Sequence, residues 1–319
     1  MSKSKSILKV VLPLLLGVVL VWYSLSQISI PKLIQYFKDA NYFWIALGVS
    51  LGVLSHVSRA YRWLFMAEPL GYKPKFANSF MAVYSAYLIN LTLPRAGEVA
   101  RASILTTYED VPFDKGFGTI VAERVADTIM LLLIIGVALI LEFKFIYNYF
   151  IDKFNPTTLI LGGAIILVFA LGLYLFVKRG SSSFAIKVKS FIKGLIEGAM
   201  SIFKMKKKWA FIFFTLIIWV LYVAMFYITT FALPELSNIS LAGVLIGFIF
   251  ASFSIAATNG GIGSFPEAIV IAFSLFYIPE DPSRAFGWIM WSTQTLVIIV
   301  LGGLSLIYLP IYNRKKTSV

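Results

Sequence analysis

Two polar interruptions with the same spacing stand out in an otherwise apolar chain. The first runs from Asn90 to Glu98 and the second from Asn259 to Glu267, so each begins with Asn and reaches Glu eight residues later. Pro and Gly inside both interruptions predict unwound backbone that is followed by a new helix. Because the first turn of a helix exposes unpaired N–H groups, each interruption could bind an anion such as a lipid phosphate.

Three further charges lie together in one apolar run, residues 117–141. Asp127 follows Glu123 by four residues and Arg124 by three, so a helix places the two acids on one face with the base at its edge. Each charge costs about 2.5 to 3.5 kcal/mol at the centre of a bilayer. One interpretation is a buried ion network that only fixes helix packing. We favour a water-accessible cavity, with Arg95 or Arg101 as the second cation.

Composition defines the class of protein that must position these groups. Of 319 residues, 59% are hydrophobic and only 13% are charged, which is more apolar surface than a soluble core can bury. An all-α polytopic membrane bundle is therefore predicted. The net charge of +13 comes from basic residues between apolar runs. That distribution is typical of cytoplasmic loops, and we expect no nucleic-acid partner.

We do not expect an enzyme, because common catalytic motifs are missing from the sequence. It has no Cys and one His, which excludes thiolate sites and the H-E-x-x-H zinc motif. It also lacks the Gly-rich loop of nucleotide-binding proteins. We predict no metal, no cofactor and no catalytic residue.

Six apolar runs are long enough to cross about 30 Å of hydrocarbon. They cover residues 7–26, 42–66, 117–141, 157–178, 209–232 and 284–310. Segment 178–208 carries nine basic residues and one acid, so it is predicted to be a basic, amphipathic cytoplasmic segment. Both termini are then cytoplasmic, in a cell membrane of the bacterial or archaeal (inner-membrane) type. Arg59 and Arg62 are expected to snorkel to the inner interface.

Loop charge also constrains the shorter apolar stretches. With this orientation, residues 76–93 enter and leave from the cytoplasmic side, and residues 240–278 return to the outside as two crossings or as a hairpin. We favour a hairpin because its second arm, about 13 residues, spans only about 20 Å as a helix. The prediction is one membrane domain over residues 1–319, with six full spans and two re-entrant elements that form an inverted pair.

Three ordered motifs resemble the lysylphosphatidylglycerol synthase transmembrane family of flippase-like membrane proteins. The motifs are NLTLPRAGEVARASIL, VAERVADTIMLL and ATNGGIGSFPEA. In the family this resembles, fuller members join the membrane region to a soluble aminoacyl-transferase domain, and the membrane region is associated with moving lipid between leaflets. Because the sequence ends at Val319, directly after its last span, we expect the membrane region without the synthase activity.

The interruptions and the resemblance together nominate the substrate-binding residues. Where the resembled family has Pro before two glycines, this chain has Asn259. The candidates are Asn90, Pro94, Arg95, Gly97, Glu98, Arg101, Glu123, Arg124, Asp127, Asn259, Gly260, Gly261, Gly263 and Glu267.

The expected function is translocation of an anionic phospholipid or glycolipid headgroup through a polar intramembrane cavity, with membrane lipid as the partner. An alternative is a membrane partner that docks a separate glycosyltransferase or lipid-modifying enzyme through residues 184–208. A third interpretation, which we favour less, is an intramembrane enzyme that uses Glu98 and Asp127 as paired carboxylates.

Overall fold

The computed structural model describes residues 3–93, 95–143 and 205–314, with scattered positions between 155 and 186. Every regular element in these residues is a helix, which confirms the all-α prediction there. Among the described residues, four helices are long and apolar enough to cross a membrane, and one bent pair could supply a fifth crossing. The chain forms two compact units, Met1–Ile120 with Lys206–Val319, and Val121–Met205. The single-domain assignment stays a prediction.

The helices are numbered here in chain order. The first six are α1 (Lys3–Ser26), α2 (Ile30–Asp39), α3 (Tyr42–Ala67), α4 (Phe76–Thr92), α5 (Ala96–Glu109) and α6 (Phe113–Leu141). The later ones are α7 (Lys208–Thr230), α8 (Leu241–Ala257), α9 (Ser264–Ser274) and α10 (Glu280–Tyr312), with short 3₁₀ turns at Glu68–Leu70 and Pro234–Leu236.

Four of the six predicted spans appear as helices of spanning length. They are α3, α6, α7 and α10, which correspond to residues 42–66, 117–141, 209–232 and 284–310. The predicted span 157–178 and the amphipathic segment 178–208 fall largely outside the described residues, as does Pro94.

The first predicted span, residues 7–26, is followed by a helix that the sequence analysis missed. Helix α2 starts beyond a short break and is bent by 84° from α1. Ser29 is extended at its N-terminus and Pro31 occupies its first turn, a position that suits Pro because no intrahelical donor is lost there. Asn41 then accepts a hydrogen bond from the Phe43 N–H and caps α3.

Helices α3 and α7 form an antiparallel pair in the first unit. At one end the Asn41 N–H donates to the Ala232 carbonyl (2.9 Å). At the other end Arg62 donates to the Thr215 hydroxyl (2.9 Å), and its guanidinium lies 5.3 Å from the centre of the Phe211 ring. Arg59 and Arg62 are both buried, so the prediction that they snorkel to the interface was wrong. For Arg62 the reason is that α7 covers this face of α3.

Helices α4 and α5 form a hairpin whose open end lies beside the end of α10. Asn78, near the start of α4, donates to Glu109 at the end of α5 and to Asn313 just after α10. The tip of this hairpin is the break between Thr92 and Ala96. We refer to this side of the first unit as the Asn313 end.

Helices α8 and α9 form a second hairpin, which opens toward the opposite end of α10. After α9 the chain passes through Ile278 to Pro279, which stands at the N-terminus of α10. We refer to this side as the Glu280 end. The two hairpins therefore approach the middle of α10 from its opposite ends.

Candidate functional site

The first break, between α4 and α5, is closed by a contact within its own hairpin. The Asn90 side-chain oxygen accepts a hydrogen bond from the Gly97 N–H (2.8 Å), which satisfies one of the free donors at the start of α5. A Cβ on Gly97 would lie 2.1 Å from the Ala86 carbonyl oxygen, so α5 packs directly on the backbone of α4. Glu98 lies in the first turn of α5, as predicted.

Arg95 forms the tip of the first break in an unusual conformation. It is exposed, and its φ of 61° places it in the left-handed region. That region costs a residue with a side chain about 1–2 kcal/mol relative to its usual conformations. Such strain at a charged tip residue is often retained for function. The structure therefore keeps Arg95 as a candidate ligand-binding residue.

Arg101 lies away from the tip and is only 3% exposed. Its guanidinium lies 3.9 Å from the centre of the Trp63 ring, a cation–π contact. The Trp63 indole N–H donates in turn to the Thr119 hydroxyl (2.8 Å). Arg101 was predicted as a site residue but Trp63 was not, since nothing in the sequence distinguishes this aromatic residue from the others in α3.

The second break, between α8 and α9, is a loop of left-handed glycines. Gly260, Gly261 and Gly263 have φ values of 64°, 81° and 70°. The Thr258 hydroxyl accepts a hydrogen bond from the Gly261 N–H (3.1 Å) and lies 2.9 Å from the Ser264 hydroxyl at the start of α9. The break is thus a defined turn whose own hydroxyl groups hold it closed.

Asn259 presents a buried donor inside the second break. It is 7% exposed, and its side-chain nitrogen has no hydrogen-bond partner among the described residues. The next residue, Gly260, accepts a hydrogen bond from the Trp291 indole (2.8 Å). Leaving a buried donor unsatisfied costs about 1–3 kcal/mol. An acceptor oxygen from a ligand would therefore be stabilised beside Asn259.

Glu267 is bound by groups from two other helices. Arg284 of α10 donates to both carboxylate oxygens (2.8 and 3.3 Å), and the Ser24 hydroxyl of α1 donates to one of them (2.7 Å). The Trp288 indole donates to Ser24 (3.2 Å). We call Ser24, Glu267, Arg284 and Trp288 the Glu267 clamp. Both oxygens of Glu267, which we predicted to bind substrate, are engaged by protein groups.

The two breaks touch each other. A Cβ on Gly260 would lie 2.8 Å from the side chain of Leu91, the neighbour of Asn90. Trp291, which holds Gly260, lies about 16 Å along α10 from the Glu280 end, at about 1.5 Å per residue. Gly302 packs on Leu88 of α4 and lies about 15 Å from the other end of α10. Helix α10 has 33 residues and is about 50 Å long, so each of these contacts lies about a third of its length from one end.

The charged motif of α6 belongs to the second unit. Glu123 and Asp127 are buried while Arg124 is exposed, so the two acids share a face as predicted. That these charges converge on the two breaks stays a prediction.

A family model and one curated relative each match nearly the whole chain. A family model described as the lysylphosphatidylglycerol synthase TM region matches residues 10–310. The UPF0104 membrane protein MJ1595 of Methanocaldococcus jannaschii is 25% identical over 322 residues, covering 92% of each chain. The glycosyltransferase AglD of Haloferax volcanii is 28% identical over 132 residues, which are 41% of this chain and 21% of AglD. No solved structure matches the chain.

Proposed function

The chain belongs to the lysylphosphatidylglycerol synthase transmembrane-region family, and on that premise we propose that it moves the headgroup of an anionic phospholipid or a glycolipid between leaflets. The observation that carries the proposal is the contact between Gly260 and Leu91, which joins two interrupted helices that approach from opposite ends. Interrupted helices that meet near the membrane midplane are typical of substrate sites in secondary transporters.

The proposed topology has six spans and two re-entrant hairpins, α4/α5 and α8/α9. Its support is that the hairpins open at opposite ends of α10 and contact it at Trp291 and Gly302, each about a third of its length from one end. Basic residues mark the cytoplasmic side: Lys75 and Arg314 lie at the Asn313 end, and Lys208 starts α7 at the same end. Both termini are then cytoplasmic.

The two breaks offer different chemistry to a headgroup. The first supplies the exposed guanidinium of Arg95 beside a helix start, a combination that suits a phosphate. The second supplies the Asn259 amide, a neutral donor that suits a hydroxyl or carbonyl oxygen. Glu267 already forms an ion pair with Arg284, so it does not repel an anion as a free carboxylate would.

This combination favours a headgroup that has both an anionic oxygen and neutral oxygens, as phosphoglycerol and sugar phosphates have. The related AglD carries the name glycosyltransferase, which supports the glycolipid option. The partner in this proposal is membrane lipid, and no covalent chemistry is required.

Translocation can be measured with the purified protein in vesicles that contain a fluorescent phosphatidylglycerol or a fluorescent glycolipid. A membrane-impermeant reductant bleaches only the outer leaflet, so translocation appears as complete bleaching. We expect Arg95→Gln to lower the translocation rate of the anionic lipid by about tenfold, since one charge-assisted contact contributes about 1.5–3 kcal/mol. Lys73→Gln, an exposed loop change, is the control. Equal rates in wild-type, Arg95→Gln and protein-free vesicles would overturn the proposal.

A second candidate is a membrane partner for a separate glycosyltransferase or lipid-modifying enzyme. It is favoured by the match to part of AglD. Neutralising Lys206, Lys207 and Lys208 would then release a co-purifying enzyme, whereas Arg95→Gln would not.

A further inference from the structure

Helix α1 covers the second break by a single narrow face. Among the described residues of α1, Gly17 and Ser24 are buried and lie seven residues apart, close to two helical turns. The large side chains on the other faces are exposed, with Leu15 56%, Val18 65% and Trp22 70% accessible. One side of α1 therefore packs on protein, while its remaining surface has the apolar character of a lipid contact.

Helix α1 contacts the second break directly, through its backbone at Gly263 and through the Ile262 side chain at Gly17. A Cβ on Gly263 would lie 2.3 Å from the Val21 backbone nitrogen, and a Cβ on Gly17 would lie 3.6 Å from the Ile262 Cβ. No side chain separates the α1 backbone from Gly263. Helix α1 is therefore the side wall of the loop that holds Asn259.

Among the described residues, the side-chain hydrogen bonds that hold α1 in place are made by one hydroxyl group, that of Ser24. In the part of the chain that the structure describes, the side-chain hydrogen bonds between α1 and other helices both involve Ser24, which donates to Glu267 and accepts from Trp288. When α1 moves outward and Ser24 moves with it, Glu267 keeps its ion pair with Arg284. Moving α1 outward therefore breaks hydrogen bonds and apolar contacts but leaves no carboxylate without a cation.

We propose that α1 is a movable side wall, and that its outward displacement admits lipid sideways to the second break. The headgroup reaches Asn259 while the hydrocarbon chains remain in the bilayer between α1 and α9. This inference rests on the proposed function and adds the route by which the lipid reaches the second break. The route is from the bilayer, because the outer face of α1 is apolar.

A reversible cross-link tests the wall. The natural chain contains no cysteine, and the Gly17 and Ile262 positions have a Cβ separation of 3.6 Å, within the range that disulfides need. We expect the oxidised Gly17→Cys/Ile262→Cys protein to lose at least tenfold in lipid translocation and to recover it on reduction. The single variants Gly17→Cys and Ile262→Cys, oxidised in the same way, are the matched controls.

The two possible failures are distinguishable. A fully cross-linked protein that translocates lipid at the wild-type rate would overturn the movable wall. Wild-type protein that translocates no lipid would overturn the proposed function itself.

A second measurement does not depend on translocation or on the activity of the double variant. The side chain of Ile262 is only partly exposed and packs against Gly17 of α1, so the rate at which an Ile262→Cys thiol reacts with a membrane-permeable maleimide reports displacement of the wall. Adding Ser24→Ala should speed labelling several-fold. Adding Ser26→Ala should not, because the Ser26 hydroxyl donates only to the Tyr23 carbonyl of the same helix. If Ile262→Cys/Ser24→Ala and Ile262→Cys/Ser26→Ala are labelled at equal rates, Ser24 does not hold α1 in place and the proposal of a movable wall is overturned.

Discussion

The first break is held within its own hairpin, whereas the acid that follows the second break is bound by distant helices. Asn90 accepts from Gly97 seven residues away, but Glu267 is bound by Ser24 of α1 and by Arg284 of α10. The backbone differs too, since Arg95 adopts a left-handed conformation in the first break and glycines do so in the second. The hydrogen bond that closes the first break therefore needs only α4 and α5, whereas the Glu267 clamp needs α1, α9 and α10 together.

The largest difference in stability between the two breaks should come from a substitution in the Glu267 clamp. Arg284→Leu leaves the partly buried Glu267 carboxylate without its cation, and losing one partner of such a pair costs about 3 kcal/mol. We expect this loss in the free energy of unfolding, measured by denaturant titration in detergent micelles. The double variant Arg284→Leu/Glu267→Leu should recover most of it, because neither charge remains. A single variant as stable as the wild type would show that the clamp does not hold the second break.

A somewhat smaller effect should come from Gly263, where the second break meets α1. Gly263→Ala adds a left-handed residue and a Cβ 2.3 Å from the Val21 nitrogen, so we expect a loss of about 2–3 kcal/mol in unfolding free energy. Gly71→Ala is the control, because its φ is +87° but the space around it is open. The same denaturant titration should give about 1 kcal/mol for Gly71→Ala. Equal losses for the two variants would mean that α1 does not pack on the second break.

The matching change in the first break should be milder. Asn90→Ala removes a neutral cap and should lower the unfolding free energy by about 1 kcal/mol, because the Gly97 N–H loses its acceptor. Asn238→Ala, in an exposed loop, serves as the control and should change stability by less than about 0.5 kcal/mol. A loss as large as that of Arg284→Leu would contradict the view that the first break is held locally.

The smallest expected change in stability is a gain. Arg95→Gly relieves the left-handed strain and should raise the unfolding free energy by up to about 1 kcal/mol, while slowing translocation of an anionic lipid. Arg95→Ala removes the same charge but keeps the strain, so it should slow translocation without the gain. Both quantities can be measured on one preparation. Faster translocation by Arg95→Gly would show that the charge is not used to bind the headgroup.

The features that the sequence alone predicted are those that depend on neighbouring residues in the chain. Pro and Gly marked both breaks because they act on the backbone where they stand, and the acids after them lie in first helical turns. The Glu267 clamp was missed because Ser24 and Glu267 are 243 positions apart. The available signal was the pair Gly17 and Ser24, small residues that allow close helix packing.

The buried arginines show a second limit of the sequence analysis. Arg62 was expected at the interface, but α7 covers it and supplies Thr215 and the Phe211 ring. An arginine near the end of an apolar run looks the same in sequence whether it faces water or a neighbouring helix. Which face of α3 meets α7 depends on tertiary packing, which periodicity does not report.

Helix α10 serves both breaks with positions on one face. Trp291 holds the second break and Gly302 packs on α4, and these residues are eleven positions apart, close to three full turns. One inserted residue between them would rotate one contact by about 100° relative to the other and separate the hairpin tips. The contact between the two hairpins therefore depends on the number of residues between Trp291 and Gly302. Relatives can vary their loops freely but should not insert or delete single residues in this stretch of α10.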